Sequence, residues 1–264
     1  MPNGQTVRSV SKAMELLDIL LRRRTPMSLS ELAEGAGYPK STTHALLTTL
    51  RDCSMVEQKP DGRYYLGIRL FECGCAVSSQ WDISTTSRSF LEHLANTTGA
   101  CAFISVMEGA SVITFDQCVG NTGMRVVSEI GCRLPLHATS QGKLLLSGFP
   151  DGEVLRRMNA APLEAFTPHT IVDPRRLVEL MSQIRADGYA VEDGEFKIGL
   201  RSVSAPVYDR TGAMRYALGV VGFFRRVRSE GFEAAVREVT ESAAGLSQAI
   251  GYRPGLAGQV REYP

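Results

Sequence analysis

Long apolar runs are missing from this chain. Stretches such as Leu144 to Leu146 and Tyr216 to Phe224 fall well short of the ~20 residues that cross a bilayer, so no membrane segment is expected. The first residues, Met-Pro-Asn-Gly-Gln, lack the basic start and apolar block of a secretory signal. A cytoplasmic protein with reduced thiols is the expectation. Cysteine is scattered, at 53, 73, 75, 101, 118 and 132. The one close pair, Cys73-x-Cys75, lacks zinc-ribbon spacing, so neither a metal site nor a cofactor is expected and the thiols read as buried small hydrophobes. With four histidines spread along the chain and no Gly-x-Ser-x-Gly elbow, no general base is nominated for a serine hydrolase.

Charge of either sign is also not in excess: the formal net charge is +1. Its distribution is uneven, because residues 1–69 carry net +3 and the remainder net −2. A mildly basic N-terminal part fits a phosphate-facing surface. What is present is an ordinary globular composition, 44% hydrophobic and 22% charged over 264 residues, enough for two domains.

From Ser9 to Arg24, apolar residues at Val10, Ala13, Met14, Leu17, Leu20 and Leu21 predict one stripe of an amphipathic helix stopped by Thr25-Pro26. The stretch "SLSELAEGAGYPKSTTHALLTTLRD" reads as two short helices around a tight turn. Ser28 or Ser30 caps the first, which buries Leu29, Leu32 and Ala33, while Gly35 and Gly37 permit the turn. Pro39 opens the second, whose buried residues are Leu46, Leu47 and Leu50. Short strands at Val56 to Lys59 and Arg63 to Leu66, joined by Pro60-Asp61-Gly62, make a hairpin. A helix-turn-helix followed by a hairpin is a winged helix.

Residues 67–98 are helical with a break near Gln80 to Asp82 and are expected to connect two domains. Beyond Gly99, strands "ACAFISVME", "SVITFDQCV", "MRVVSEI", "YAVEDGE", "RSVSAPVYD" and "YALGVVGFF" alternate with helices over Gly142 to Gly148, Pro174 to Asp187 and Gly231 to Ile250. The fold class is α+β with a largely antiparallel sheet. The expected domains are 1–66, a connector 67–98, 99–252, and a frayed tail 253–264.

"LPLHATSQGKLLL" interrupts an apolar run with polar residues. Ser140-x-x-Lys143 has the spacing of acyl-serine enzymes, and Arg210-Thr211-Gly212 resembles their Lys-Thr-Gly element, but no Ser-Asp-Asn triplet lies between them. A P-loop is excluded by His137 and Leu144 at its required positions. The alternative is a helix capped by Thr139 or Ser140, whose free N–H groups attract a carboxylate. His137 reads as a hydrogen-bonded core residue. No catalytic residue is assigned.

Over Val7 to Tyr252 the chain resembles the IclR-type transcriptional regulators. The residues that carry this are "RSVSKAMELLDIL", "SLSELAEGAGYPKSTTHALLTTL" with "DGRYYLG", "LPLHATSQGKLLLS", "FTPHTIVDP" and "GYAVEDGEFKIGLRSVSAPVYDRTGAMRYALGVVG". The resemblance implies a winged helix on inverted-repeat operator DNA, a linker helix supporting dimerisation, and a GAF-like effector-binding domain. It also implies a homodimer or a dimer of dimers. Effectors of such regulators are typically small carboxylates or aromatic catabolites.

Carried over by position, the effector contacts are Ser140, Gln141, Glu192 and Ser202, with Gly219 and Val221 on the last strand and Met124, Val126 and Leu134 as an apolar wall. Relatives that bind small keto acids have hydroxyl residues at 219 and 221 and Cys at 202. The less polar set here implies an effector with an apolar or aromatic body and one polar end. Glu192 would repel an anion unless protonated or hydrogen-bonded. On the DNA side, Ser41, Thr42 and His44 are base-edge candidates and Lys40, Arg51 and Arg63 phosphate candidates. Ala45 stands where many relatives have Arg, and a thymine methyl can pack there. An acyl-serine enzyme and a constitutive DNA-binding protein are the alternatives.

Overall fold

The computed structural model describes residues 7–79, 82–120 and 130–253, which divide into two compact units at Trp81/Asp82.

The first unit opens with α1 (Arg8–Arg23), which ends when Arg24 turns left-handed at φ 53° with its N–H on the Leu20 carbonyl. Its apolar residues make two faces, not the single stripe expected. Leu16, Leu17 and Leu20 are buried, while Val10, Met14 and Leu21 are exposed. At 100° per residue these two sets lie about a quarter turn apart, and the core takes the face centred on Leu16 and Leu20. Helix α2 (Leu29–Ala36) starts with a complete capping box, in which Ser28 Oγ accepts from Glu31 N and the Glu31 carboxylate accepts from Ser28 N. It ends at left-handed Gly37. Helix α3 (Lys40–Asp52) buries Thr43, Leu47 and Leu50, with Leu46 half-buried. Strands β1 (Val56–Gln58) and β2 (Tyr64–Leu66) pair antiparallel, and Met27 bridges to Tyr64 at the open edge of β2.

The stretch 67–98 divides between the units. Helix α4 (Ile68–Ser79) follows the wing directly and places Leu70 against the first core. Helix α5 (Asp82–Thr98) is packed into the second, where Ile83, Leu91, Leu94 and Ala95 are buried.

The second unit is built on a six-stranded sheet of order β5-β4-β3-β8-β7-β6, antiparallel at every pairing. Its strands are β3 (Cys101–Glu108), β4 (Ser111–Cys118), β5 (Arg133–Pro135), β6 (Ala190–Asp193), β7 (Arg201–Tyr208) and β8 (Met214–Gly222). Side chains alternate between its faces. One face, with Ala102, Ile104, Val203, Ala205, Leu218 and Val220, packs on α5 and α9 (Glu230–Ala249). The other carries α6 (Ser140–Ser147), α7 (Asp151–Met158) and α8 (Pro174–Asp187). The short β5 and α7 escape a reading by periodicity because three and eight residues hold too little pattern. The expected strand "MRVVSEI" falls almost wholly outside the described residues.

The expectation that the cysteines are buried fails at three positions. Cys101 is buried and Cys118 and Cys132 are partly so, but Cys53, Cys73 and Cys75 are exposed. The last two lie on α4, whose residues 71–76 all face out.

Candidate functional site

In the first unit, α3 presents Lys40, Ser41, His44, Ala45 and Arg51 to solvent, while Thr42 is half-buried. Thr43, between two candidate readers, is turned inward with its hydroxyl on the Pro39 carbonyl at 3.1 Å. The hydroxyls of Thr48 and Thr49 bond back to the carbonyls of His44 and Ala45, so neither is free to reach outward. Pro39 precedes α3 without a side-chain cap, which leaves the first-turn N–H groups to an outside acceptor such as phosphate. Arg63 stands exposed at the base of the wing turn, 3.9 Å from Asp61.

In the second unit, four of the residues expected to hold an effector, Glu192, Ser202, Gly219 and Val221, share one face of the sheet. The register pairs Glu192 with Ser202 and Ser202 with Val221. Ser204 is paired with Gly219, and Gly219 with Phe103. Helix α6 closes over this face. Thr139 caps it, accepting from Gly142 N at 3.2 Å, and Gly142 lies so close to the Leu136 backbone that a Cβ would sit 2.4 Å from its carbonyl oxygen. Close approach buries Ser140, whose hydroxyl meets that of Ser204 at 2.7 Å. Gln141 is 5% exposed. Its Oε1 is 3.4 Å from Ser140 Oγ, and its Nε2 has no acceptor among the described residues. Together with the first two N–H groups of α6, which no intrahelical carbonyl can satisfy, this makes a set of donors on a buried helix turn.

The walls are apolar. Phe103 covers Gly219, where a Cβ would lie 2.7 Å from the ring, and Cys101, Leu200 and Val221 pack together. Burial pushes the Cys101 thiol up to about 11, which keeps it neutral and unreactive. Leu134 lies on β5 in the core beneath α6. Met124 and Val126 fall outside the described residues.

Glu192 is occupied by the protein itself. Its Oε1 accepts from Glu195 N at 2.7 Å and Phe196 N at 3.2 Å, and its Oε2 from Ser202 Oγ at 3.1 Å. Burial pushes its carboxyl above the ordinary range, against the pull of these hydrogen bonds, and the neighbouring Glu195 charge adds to the rise. Glu192 thus fastens the turn after β6 to β7.

Ser140 and Lys143 do not form a nucleophile and base. Lys143, 1% exposed, gives its Nζ to the Glu195 carboxylate, while Ser140 is engaged with Ser204. The other oxygen, Glu195 Oε2, is buried without a hydrogen bond among the described residues. His137 bonds the Glu164 carbonyl at 2.9 Å and is 6% exposed, a core histidine. Phe103, Ser204 and Glu195 escaped sequence reasoning. Alternation along β3 and β7 marks a face, but nothing local to these residues says which strands become neighbours.

The two units match two family models, the IclR helix-turn-helix domain over residues 9–60 and the bacterial transcriptional regulator IclR C-terminal domain over 75–248. The HTH-type transcriptional regulator XynR of Escherichia coli (strain K12) is 29% identical over 247 residues, covering 93% of this chain and 98% of that protein. Among solved structures, an IclR transcriptional regulator from Alicyclobacillus acidocaldarius superposes with a TM-score of 0.82 at 28% identity, over 93% of this chain and all of that one. An IclR homologue from Microbacterium hydrocarbonoxydans, solved in complex with 4-hydroxybenzoate, shares the fold (TM-score 0.79, 22% identity, 92% of this chain and 98% of that chain). With both units matched, and with relatives that are regulators and not enzymes, this chain is a DNA-binding transcriptional regulator of the IclR family.

Proposed function

We propose that the protein is a ligand-responsive switch of the IclR type, working in the cytoplasm on a catabolic operon and sensing a small organic acid with an aromatic or otherwise apolar body. The observation that carries this is the set of donors on the buried turn at the start of α6. Ser140, Gln141 and two helix N–H groups lie at a turn that touches the sheet at Ser204. Its neighbour Gly219 is covered by Phe103, on the strands that also carry Val221 and Cys101, which pack with Leu200. The members of this set other than the Ser140 hydroxyl, which meets Ser204, have no acceptor among the described residues. They favour a ligand end that accepts, and a helix N-terminus favours that end as an anion. The apolar wall favours the rest of the molecule being ring or chain. Glu192, held by three donors, faces the turn and leaves the ligand to Ser140, Gln141 and Ser204, with Ser202, Gly219, Val221 and Leu134 shaping the space. The 4-hydroxybenzoate complex of the Microbacterium homologue supports this class of ligand.

On the DNA side, α3 enters the major groove with Ser41, Thr42 and His44 on base edges and Ala45 on a thymine methyl, while Lys40, Arg51 and Arg63 meet phosphates. Homodimers, or pairs of them, read an inverted repeat. The exposed apolar residues Val10, Met14 and Leu21 on α1, and Ile68 and Phe71 on α4, suit burial against a second copy. Effector binding shifts the balance between two dimer states only to the extent that it prefers one.

The test is fluorescence anisotropy on a duplex selected by the protein from a randomised pool, titrated with 4-hydroxybenzoate, benzoate and a series of aliphatic acids. A shift in DNA affinity with an aromatic or long-chain acid supports the reading. A response to two- and three-carbon keto acids alone would overturn the ligand class, and no response to any acid would favour constitutive binding.

A further inference from the structure

Besides the Met27–Tyr64 backbone bridge at the edge of β2, the wing is tied to the rest of the DNA-binding unit by polar side chains of two adjacent residues that point to opposite faces of β1. On one face, Glu57 accepts from the Tyr65 hydroxyl at 2.6 Å and from the Ile68 N–H, the first of α4, at 3.2 Å. On the other, Gln58 makes a two-step relay. Arg51 Nη1 donates to Gln58 Oε1 at 3.0 Å, and Gln58 Nε2 donates to the Gly62 carbonyl at 3.0 Å. Arg51 belongs to α3, and Gly62 to the turn between Lys59 and Arg63.

The turn is shaped locally. Lys59 and Arg63 are bonded through Lys59 N to Arg63 O, Gly62 N reaches Lys59 O, and Asp61 holds Arg63 N. None of these bonds attaches the turn to α3. At its base the hairpin is held by apolar packing of Val56 with Leu47 and Leu50. Beyond the connecting segment 53–55, the polar tie between α3 and the hairpin, among the described residues, is Arg51–Gln58. A pair of exposed hydrogen bonds adds little to stability, since water competes for every partner. It does fix direction, and both groups it aligns are ones that meet DNA in the reading above.

We propose that Gln58 is a positioning residue that holds the wing in register with the base-reading helix, so that Arg63 reaches the DNA backbone while α3 occupies the major groove. This rests on the placement of α3 and Arg63 on DNA. The inference predicts an effect that a neutral side chain could not exert by itself. Removing Gln58 deletes no charge, yet it should cost the wing's phosphate contact and so flatten the salt dependence of binding.

The experiment uses the full chain and the duplex it selects from a randomised pool, with affinity measured from low to moderate salt for wild type, Gln58→Ala, Arg63→Ala and the double variant. Thermal unfolding is followed alongside. Expected for Gln58→Ala is an unchanged melting profile, binding about threefold to tenfold weaker, and a log–log salt slope shallower by roughly 0.9 per wing. In the Arg63→Ala background the same change should do nothing further. Should Gln58→Ala fail to fold, Gln58→Met keeps the bulk and removes both hydrogen bonds. A wild-type salt slope in the folded variant, or an equal loss with and without Arg63, would overturn the proposal while leaving DNA binding intact. Failure of the wild type to select any site would remove the DNA placement and this inference together.

Discussion

Lys143 is the most committed ionisable side chain in the second unit, and its replacement tests how that unit is held together. It is 1% exposed on α6, and Glu195 is 8% exposed after β6. Their ion pair therefore joins the helix that covers the proposed ligand site to the turn that Glu192 fastens. A buried pair gains little net stability over an apolar equivalent, because desolvating both charges offsets their attraction. Breaking it is another matter. Lys143→Met leaves a carboxylate whose Oε2 has no hydrogen bond among the described residues without its paired cation, and should cost about 3–5 kcal/mol. The double variant Lys143→Met with Glu195→Met removes both charges, and should recover most of that loss. Urea unfolding followed by far-UV circular dichroism gives the three free energies. The reasoning fails if Lys143→Met costs less than about 1 kcal/mol, or if the double variant is as unstable as the sum of the single ones.

Three further outcomes are expected. Glu192 has a folded pKa above its ordinary 4.5 because of burial, so the stability favouring its protonated form is present below that value and is lost as pH rises through the shifted one. Glu192→Gln should therefore gain in urea midpoint relative to wild type as pH is raised from about 4 to 7, and a flat difference would contradict the assignment. Gly219→Ala should destabilise by about 1–3 kcal/mol, since a Cβ there lies 2.3 Å from the Val203 carbonyl oxygen and 2.7 Å from the Phe103 ring. An unchanged melting temperature would mean the strands can part. Lys40→Ala should weaken binding to all duplex sequences and reduce the salt slope by roughly 0.9 per protomer. A sequence-dependent loss with an unchanged slope would move Lys40 from the phosphate to the bases.

Much of this architecture could be read along the chain because its signals are local. Ser28 is one of two caps offered for α2, Gly37 permits the turn after it, and Pro60-Asp61-Gly62 marks the hairpin turn; each is found in place, with Glu31 completing a capping box that was not anticipated. Helix α8 spans the residues anticipated because Asp173-Pro174 starts it and Gly188 ends it. The face of α1 was misjudged for a different reason. Apolar residues make up half of that helix, and periodicity cannot choose between adjoining faces when both are apolar. The effector face was legible only through resemblance. The Ser140–Ser204 bond spans 64 positions and the Lys143–Glu195 pair 52, separations over which no spacing rule operates. Glu192 shows the converse. The resemblance placed it among the effector contacts, where its carboxylate would repel an anion unless protonated or hydrogen-bonded, and the structure gives it three hydrogen bonds, two from its own loop and one from Ser202.

A ligand held at the start of α6 is proposed to govern DNA binding at a separate unit. Once a responsive acid has been found, the direct measurement is its titration against the protein–duplex complex by anisotropy, for wild type and Gln141→Ala. The prediction is equal DNA affinity without the acid and a response shifted at least about tenfold to higher concentration in the variant, the loss of one charge-assisted hydrogen bond. An unshifted response in a folded variant would place the ligand elsewhere and contradict the claim.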